Sequence, residues 1–168
     1  MLIILSGLPG TGKTTLAREL AHQLAAVYLR IDTIEQAVRD SAAFVGSVQD
    51  AGYRVGYAIA EDNLLLGRTV VADSVNPLQI TRDAWRAVAV RARTKFVEVE
   101  ILCSDLAEHR RRVESRRTDI PGLVQPSWQA VLKRDYQTWD RPHVTVDTSY
   151  CSIAESLAAL CRGIAGAQ

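Results

Sequence analysis

The residues with the clearest chemical meaning lie close to the start of the chain, in the run GLPGTGKT at positions 7–14. Glycines at this spacing, followed by a lysine and a hydroxyl residue, are typical of a phosphate-binding loop, or P-loop. The glycines allow the backbone to turn tightly and to aim its N–H groups inward. We expect Lys13 to contact the outer phosphates of a nucleotide and the Thr14 hydroxyl to hold Mg²⁺.

The segments on both sides of the loop agree with this interpretation. Residues 2–5 (LIIL) form an apolar run that predicts a buried parallel strand. Leu16, Leu20 and Leu24 recur every four residues, which predicts the inner face of a helix. A helix that begins at the loop adds its partial positive charge to a phosphate site. The residues expected to hold the nucleotide are Gly7, Pro9, Gly10, Thr11, Gly12, Lys13, Thr14 and Thr15.

A first carboxylate, Asp32, follows a predicted second strand at residues 27–31 (VYLRI). The T-x-x-Q pattern at 33–36 predicts a capping box, with Thr33 as the cap of the next helix. Asp32 is then free at the carboxyl end of a strand, which is the edge where ligands bind in open α/β sheets. We interpret Asp32 as the group that orients or deprotonates an acceptor hydroxyl, with an ordinary turn aspartate as the alternative.

A second carboxylate, Asp73, ends the predicted buried strand at residues 69–72. An apolar strand that ends in a carboxylate resembles a Walker B element, which binds Mg²⁺ directly or through water. The alternative is a carboxylate of the acceptor pocket, and the sequence leaves both open. The turn SVNP at 74–77 places Asn76 at the same edge.

Five arginines fall within positions 110–117, and most of them are expected to form a solvated helix face. Arg112 and Arg116 are four residues apart and therefore share one face. They precede a loop at 118–126 (TDIPGLVQP) that contains two prolines and a glycine. We predict a lid over about 112–126, in which Arg116 first and Arg112 second neutralise charge in the transition state. Arg117 is the competing candidate.

The rest of the chain alternates predicted strands with predicted helices, which favours one α/β domain over residues 1–168 with a five-stranded, mainly parallel sheet. Further strands are expected at 95–103 and 143–147. Gly52, Gly56 and Ala60 recur in a predicted helix at 49–66, where close packing is expected. Four further helices are predicted. One is indicated by the apolar face of Trp85, Val88 and Ala92, and one by the acidic first turn that begins at Asp105. The others are indicated by the capping pattern Ser152-x-x-Glu155 and by the apolar face of Trp128, Val131, Leu132, Tyr136 and Trp139.

Composition argues against several classes of partner. A formal net charge of +1 provides no long-range attraction for nucleic acid or membrane. No apolar run approaches the ~20 residues that span a bilayer, and the first residues lack the basic region of a signal peptide. Three widely spaced cysteines argue against a disulfide framework and fit a cytoplasmic protein. His22, His109 and His143 are given no chemical role.

Together these segments resemble the small P-loop kinases, the ATP-binding group that includes chloramphenicol phosphotransferase and the kinase domain of polynucleotide kinase. The resemblance covers nearly the whole chain and is carried by GLPGTGKTTLAREL, LRIDT, VVADSVNP and HRRRVESR. It implies a sheet of order 2-3-1-4-5, ATP and Mg²⁺ as cofactors, Asp32 as the acceptor base, and lid arginines on the phosphates.

The acceptor is less well defined by this resemblance. Polynucleotide kinases carry an arginine three residues after the aspartate, where this chain has Glu35. Chloramphenicol phosphotransferase is similar around LRIDT, at residues 117–119 and at Gly122, but its first loop differs. We therefore predict transfer of the ATP γ-phosphoryl to a hydroxyl of a small molecule, such as an antibiotic, a nucleoside or a sugar-like compound.

Two alternatives stay open. A nucleotide or polynucleotide 5′-hydroxyl kinase would need cations for an acceptor phosphate, which Arg30, Arg39 or Arg54 could supply. A regulatory ATPase is the other, although the chain has neither the N-K-x-D nor the D-x-x-G motif of GTP switches. The sequence does not distinguish a monomer from a homodimer.

Overall fold

The computed structural model describes residues 1–41 and 46–167. Its centre is a sheet of five strands in the order β2-β3-β1-β4-β5, in which every neighbouring pair is parallel. The predicted fold class and strand order are therefore confirmed. The strands are β1 (Leu2–Ser6), β2 (Val27–Arg30), β3 (Val70–Asp73), β4 (Phe96–Leu102) and β5 (Val144–Asp147).

Helices cover both faces of this sheet. In the described part of the chain they are α1 (Lys13–Gln23), α2 (Ile31–Arg39), α3 (Ala51–Leu65), α4 (Gln79–Arg91), α5 (Leu106–Ser115), α6 (Trp128–Leu132) and α7 (Ile153–Gly166). The Ser152 side chain and Glu155 form the predicted capping box of α7. Asp105 caps α5 by accepting from the backbone N–H groups of Ala107 and Glu108.

The central strand β1 faces both hydrophobic cores. Ile3 and Leu5 pack with residues of α1 and α7 on one face. Leu2 and Ile4 pack with residues of α3 and α4 on the other. Because successive side chains of a strand point to opposite faces, a continuous apolar run is what a strand covered on both sides requires. Leu24 does not belong to the inner face of α1 as predicted, because it lies just beyond the end of that helix and is 45% exposed.

The start of α2 differs from the prediction. The helix begins at Ile31, with Arg30 at its N-cap and no side-chain cap, so Thr33 is not a capping residue. Strand β2 leads directly into α2, and no loop residue is left to serve as a cap. Asp32 consequently lies in the first turn of the helix.

The predicted close packing of α3 is present. A Cβ added to Gly56 would lie 2.5 Å from Ile31 Cδ1, and one added to Gly52 would lie 2.3 Å from Glu35 Cγ. These contacts allow α3 to pack closely against α2. Gly67, with φ +76°, follows the end of α3 as predicted.

The prediction of one helix from Trp128 to Trp139 is wrong beyond the first turn and a half, because α6 ends at Leu132. Tyr136 and Trp139 instead lie on the guanidinium of Arg82, at 5.1 and 4.1 Å from the ring centroids. Arg82 is almost fully buried and donates to the carbonyl of Gln137 at 2.7 Å. A tertiary cation–π contact therefore overrides the helical periodicity of this segment.

The segment predicted as a lid, about residues 112–126, begins within a helix. Arg112 lies within α5, and Arg116 is the extended C-cap residue of that helix. The segment from 116 to 127 contains neither helix nor strand; we call it the 116–127 loop. Elsewhere in the fold, no helix of the described residues combines the length and apolar character needed to cross a bilayer.

Candidate active site

A cleft of about 1190 Å³ opens at the carboxyl edge of the sheet. The P-loop, the first turn of α2, the end of α5 and the 116–127 loop contribute to its walls. The predicted catalytic residues that line it are Lys13, Asp32, Arg112 and Arg116. Pro9, Gly10, Gly12, Thr14 and Thr15 line it as well, whereas Gly7 and Thr11 lie behind the loop surface and shape it.

The glycines of the loop are required by its conformation. Gly7, Gly10 and Gly12 have φ values of +143°, +90° and +89°, a region that side chains rarely allow. A Cβ on Gly7 would lie 2.3 Å from the carbonyl oxygen of Ile101, and one on Gly10 would lie 2.5 Å from Val113 Cγ2. The loop is thus packed directly against β4 and α5.

Three side chains hold the loop in place. Thr11 Oγ1 donates to the carbonyl of Leu8 at 3.0 Å, and Thr148 Oγ1 donates to the carbonyl of Thr11 at 2.8 Å. His109 Nε2 lies 2.8 Å from the carbonyl oxygen of Pro9, so this ring nitrogen carries a proton and donates. The sequence analysis gave His109 no role and did not identify Thr148.

Lys13 and Asp73 form a buried ion pair beneath the loop. Lys13 Nζ lies 3.0 Å from Asp73 Oδ1, and the Tyr28 hydroxyl donates to Asp73 Oδ2 at 2.8 Å. Burial raises the pKa of the Asp73 carboxyl, but the Lys13 ammonium and the donors Tyr28 and Thr14 outweigh burial and lower the pKa below its ordinary value. Burial and the Asp73 charge raise the pKa of Tyr28, which therefore keeps its proton and donates.

The donor set around this pair fits Mg²⁺. The Thr14 hydroxyl and the Asp73 carboxylate provide hard oxygen ligands of the kind that Mg²⁺ prefers. The described residues contain no cluster of three or more His, Cys, Asp or Glu side chains that would hold a metal alone. Such sparse protein ligation is usual for Mg²⁺, which binds through a few carboxylate or hydroxyl ligands together with substrate phosphates.

Asp32 and Arg116 both line the cleft, Asp32 from α2 and Arg116 from the end of α5. Asp32 is half-buried in the first turn of α2, and its negative charge raises the pKa of the Arg116 guanidinium. Burial lowers the pKa of Arg116, and the opposite effect of Asp32 only partly offsets it. Arg117, the competing candidate, lines the cleft but is exposed.

Arg112 is fixed in its position by hydrogen bonds. Its Nε donates to Glu108 at 2.7 Å, its Nη1 to Thr148 Oγ1 at 2.8 Å and its Nη2 to the Thr148 carbonyl at 3.0 Å. On the other side of Arg112 lies a smaller cavity of about 210 Å³, beside the start of α1. Leu16, Cys151 and Ile153 give this cavity an apolar wall.

The remaining candidates lie in different places. Tyr53 lines the cleft, whereas Arg54 is 77% exposed and lies 3.7 Å from Asp50. Arg39 lines the cleft and is paired with Glu35 at 3.2 Å. Asn76 is fully buried, donates to Ser6 Oγ and accepts from Trp85 Nε1, so it supports the turn after β3.

Comparison with known proteins extends this description. Residues 2–134 match the AAA_33 family model, described as an AAA domain. No curated protein sequence matches the chain.

Three solved structures illustrate the fold. A proposed kinase from Chloroflexus aurantiacus has a TM-score of 0.75 at 20% identity, covering 96% of this chain and 97% of its own. The APS kinase of Mycobacterium tuberculosis in complex with AMPPNP and APS has a TM-score of 0.70 at 19% identity, with 98% and 96% covered. Kti12 from Chaetomium thermophilum in complex with ADP-AlF3 has a TM-score of 0.68 at 23% identity, with 98% and 99% covered.

The family match spans well over half of the chain, and the sheet order, the P-loop and the shared architecture of these structures agree with it. The chain therefore belongs to the AAA domain family AAA_33, with the fold of the P-loop kinases.

Proposed function

We propose that the protein is an ATP- and Mg²⁺-dependent phosphotransferase that moves the γ-phosphoryl group to a hydroxyl of a small molecule. The observation that carries this proposal is that the P-loop lysine, Asp32 and Arg116 line one cleft. A phosphate cradle, a carboxylate for the acceptor proton and a cation for the transferring group are what this reaction needs.

The donor occupies the P-loop side. Loop amides and Lys13 hold the β- and γ-phosphates, and binding of these phosphates draws Lys13 Nζ from Asp73 toward the nucleotide. The cavity of about 210 Å³ beside Gly12 and Thr15 suits the nucleobase, since Leu16 and Ile153 offer apolar contact. Arg112 separates this cavity from the main cleft and covers the phosphates.

Thr14 and Asp73 would hold Mg²⁺. The metal, when bound with the nucleotide, neutralises charge on the β- and γ-phosphate oxygens. Asp73 is suited to this task because its lowered pKa keeps it ionised throughout the physiological range.

The acceptor occupies the side of α2. Asp32 accepts a hydrogen bond from the acceptor hydroxyl and takes its proton as the new P–O bond forms. In the same transfer the bond from the γ-phosphorus to the bridging oxygen breaks, and ADP leaves. Arg116 stabilises the negative charge on the phosphoryl during transfer. The nucleotide analogues in the APS kinase and Kti12 structures support a nucleotide in the corresponding place here.

The test couples ATP consumption to a panel of hydroxyl acceptors, with Mg²⁺ present or removed by chelation. We expect ATP loss that requires both Mg²⁺ and an acceptor, together with a phosphorylated product in equal amount. Steady ATP hydrolysis at the same rate with and without every acceptor would contradict the proposal and favour a regulatory ATPase.

A further inference from the structure

Three arginines from separate elements line the acceptor side of the cleft: Arg30 at the end of β2, Arg116 at the end of α5, and Arg134 just after α6. We call them the arginine cluster. Burial, followed by the charges of Arg30 and Arg134, lowers the pKa of Arg116, while Asp32 acts in the opposite direction. Three cations therefore share this region with Asp32, while the other nearby carboxylates, Glu35 and Asp119, are already paired with arginines. Positive charge is left over, and an anion would neutralise it.

Two members of the cluster have unused donors. The side chain of Arg30 is only 9% exposed, and its buried Nε has no hydrogen-bond partner among the described residues. The buried Nε of Arg116 likewise has none within that part of the chain. Buried N–H groups almost always find an acceptor, so the guanidinium groups of Arg30 and Arg116 are incompletely satisfied by the described residues.

The 116–127 loop already supplies one anion to this cluster. Arg30 Nη1 donates to Asp119 Oδ1 at 2.8 Å, and Arg18 donates to the other carboxylate oxygen. These two guanidinium groups lower the pKa of Asp119 well below its usual range. Asp119 is 46% exposed on its loop, so its carboxylate can leave without disturbing the core.

Two further arginines that line the cleft are engaged elsewhere. Arg39 is paired with Glu35, and Arg112 with Glu108 and Thr148. Lys13 serves the outer phosphates of the nucleotide in the proposed function, and Arg116 the transferring group. Arg30 and Arg134 then have no task on the donor side.

We propose that the acceptor is itself an anion: a hydroxyl compound that carries a phosphate, sulfate or carboxylate group. Arg30 and Arg134, assisted by Arg116, bind this group in place of the Asp119 carboxylate. The acceptor hydroxyl is thereby held at Asp32, two residues after Arg30 in the chain. This inference rests on the proposed function, and it narrows the acceptors of that function to charged ones.

The test measures binding of sulfate to the whole protein with the nucleotide site filled. Saturating Mg²⁺ and AMPPNP occupy the P-loop, so that sulfate is excluded from the phosphate positions of the donor. Binding is followed by equilibrium dialysis with radiolabelled sulfate at constant ionic strength, balanced with chloride. A parallel titration with acetate separates a preference for phosphate-like dianions from a preference for carboxylates.

We expect one sulfate site per chain, weakened about tenfold or more in Arg30→Met and in Arg134→Met, as for loss of a charge-assisted hydrogen bond. Arg54→Met is the matched control and keeps wild-type sulfate affinity, since Arg54 is exposed and does not line the cleft. Asp119→Asn strengthens sulfate binding several-fold, because the competing carboxylate has gone. Arg134 is exposed, so its variant reports on binding even if Arg30→Met folds poorly.

Two results would overturn the inference: no site for either sulfate or acetate in the AMPPNP-loaded protein, or equal affinity for the bound anion in wild type and Arg134→Met. Either result with intact AMPPNP binding leaves the proposed phosphotransferase in place with a neutral acceptor. Loss of AMPPNP binding in the wild-type protein would instead contradict the proposed function itself.

Discussion

The two sides of the cleft are built in different ways. On the donor side, polar groups are paired within the protein: Lys13 with Asp73, Thr148 with Thr11, and His109 with Pro9. On the acceptor side, Arg30 and Arg116 keep buried donors that have no partner among residues 1–41 and 46–167, and an exposed loop carboxylate partly neutralises the charge. In the proposed function, the donor side is therefore shaped before the nucleotide binds, whereas the acceptor side would gain hydrogen bonds from the substrate.

On the donor side, Lys13→Ala is expected to have the largest effect on activity. We expect acceptor-dependent turnover to fall on the order of a thousandfold, as when a key cation or donor for the transition state is removed. Coupled assays of ATP consumption measure this, with Lys133→Ala as control, because Lys133 is exposed and does not line the cleft. Turnover close to wild type in Lys13→Ala would contradict the assignment of the P-loop.

The corresponding change on the acceptor side is Asp32→Asn. We expect kcat to fall at least about a hundredfold, the usual contribution of a general base, with little change in the KM for ATP. Asp62→Asn is the control, since Asp62 is exposed on α3 and does not line the cleft. A large loss of ATP affinity in Asp32→Asn would place this carboxylate on the donor side instead.

Arg112→Met tests whether the donor side and the acceptor side bind their ligands independently. Since Arg112 borders both cavities and is fixed by Glu108 and Thr148, we expect AMPPNP affinity to fall about tenfold, in line with one lost charged hydrogen bond. Sulfate binding at the arginine cluster should not change. Arg110→Met is the control on the same helix, because Arg110 is exposed and pairs with Glu114. Equal losses of AMPPNP and sulfate binding would show that the two sides are not independent.

The smallest expected effect is a pH dependence of stability from Asp73. Its pKa is lowered in the folded protein, so its stabilising contribution is present above the unfolded pKa of about 3.9 and is lost as pH falls through the folded pKa. Urea unfolding should show wild type more stable than Asp73→Asn at pH 7, by on the order of 1–2 kcal/mol. This difference should shrink below about pH 4. A difference that stays constant down to acid pH would contradict the ion pair as its source.

The central part of the site was predictable because its signals are local. The glycine spacing defines the P-loop, and an apolar run that ends in Asp73 defines the strand beside it. The contacts that complete the donor side, from Tyr28, His109 and Thr148, join residues far apart in the chain. Such contacts depend on which strands become neighbours, and one sequence does not reveal them.

The wrong predictions have related causes. The T-x-x-Q pattern at 33–36 predicts a cap where β2 in fact leads straight into α2. The helical spacing of apolar residues after Leu132 predicts a helix, but Tyr136 and Trp139 instead make cation–π contacts with Arg82. In both places a local pattern competes with a tertiary arrangement, and the tertiary arrangement prevails. Of the arginine cluster, Arg30 and Arg116 were each named from the sequence as candidate cations for a phosphate. Arg134 and the grouping of the three were missed, since their positions are far apart in the chain.

The position of β2 at the edge of the sheet has a consequence for the evolution of such proteins. β1, which leads into the P-loop, has strands on both sides, whereas β2, which leads into Arg30 and Asp32, is bonded to β3 alone. Substitutions in β2 can thus accumulate without rearranging the central strand β1. In the proposed function, the residues that receive the acceptor can thereby change while the strand that leads into the P-loop stays in place.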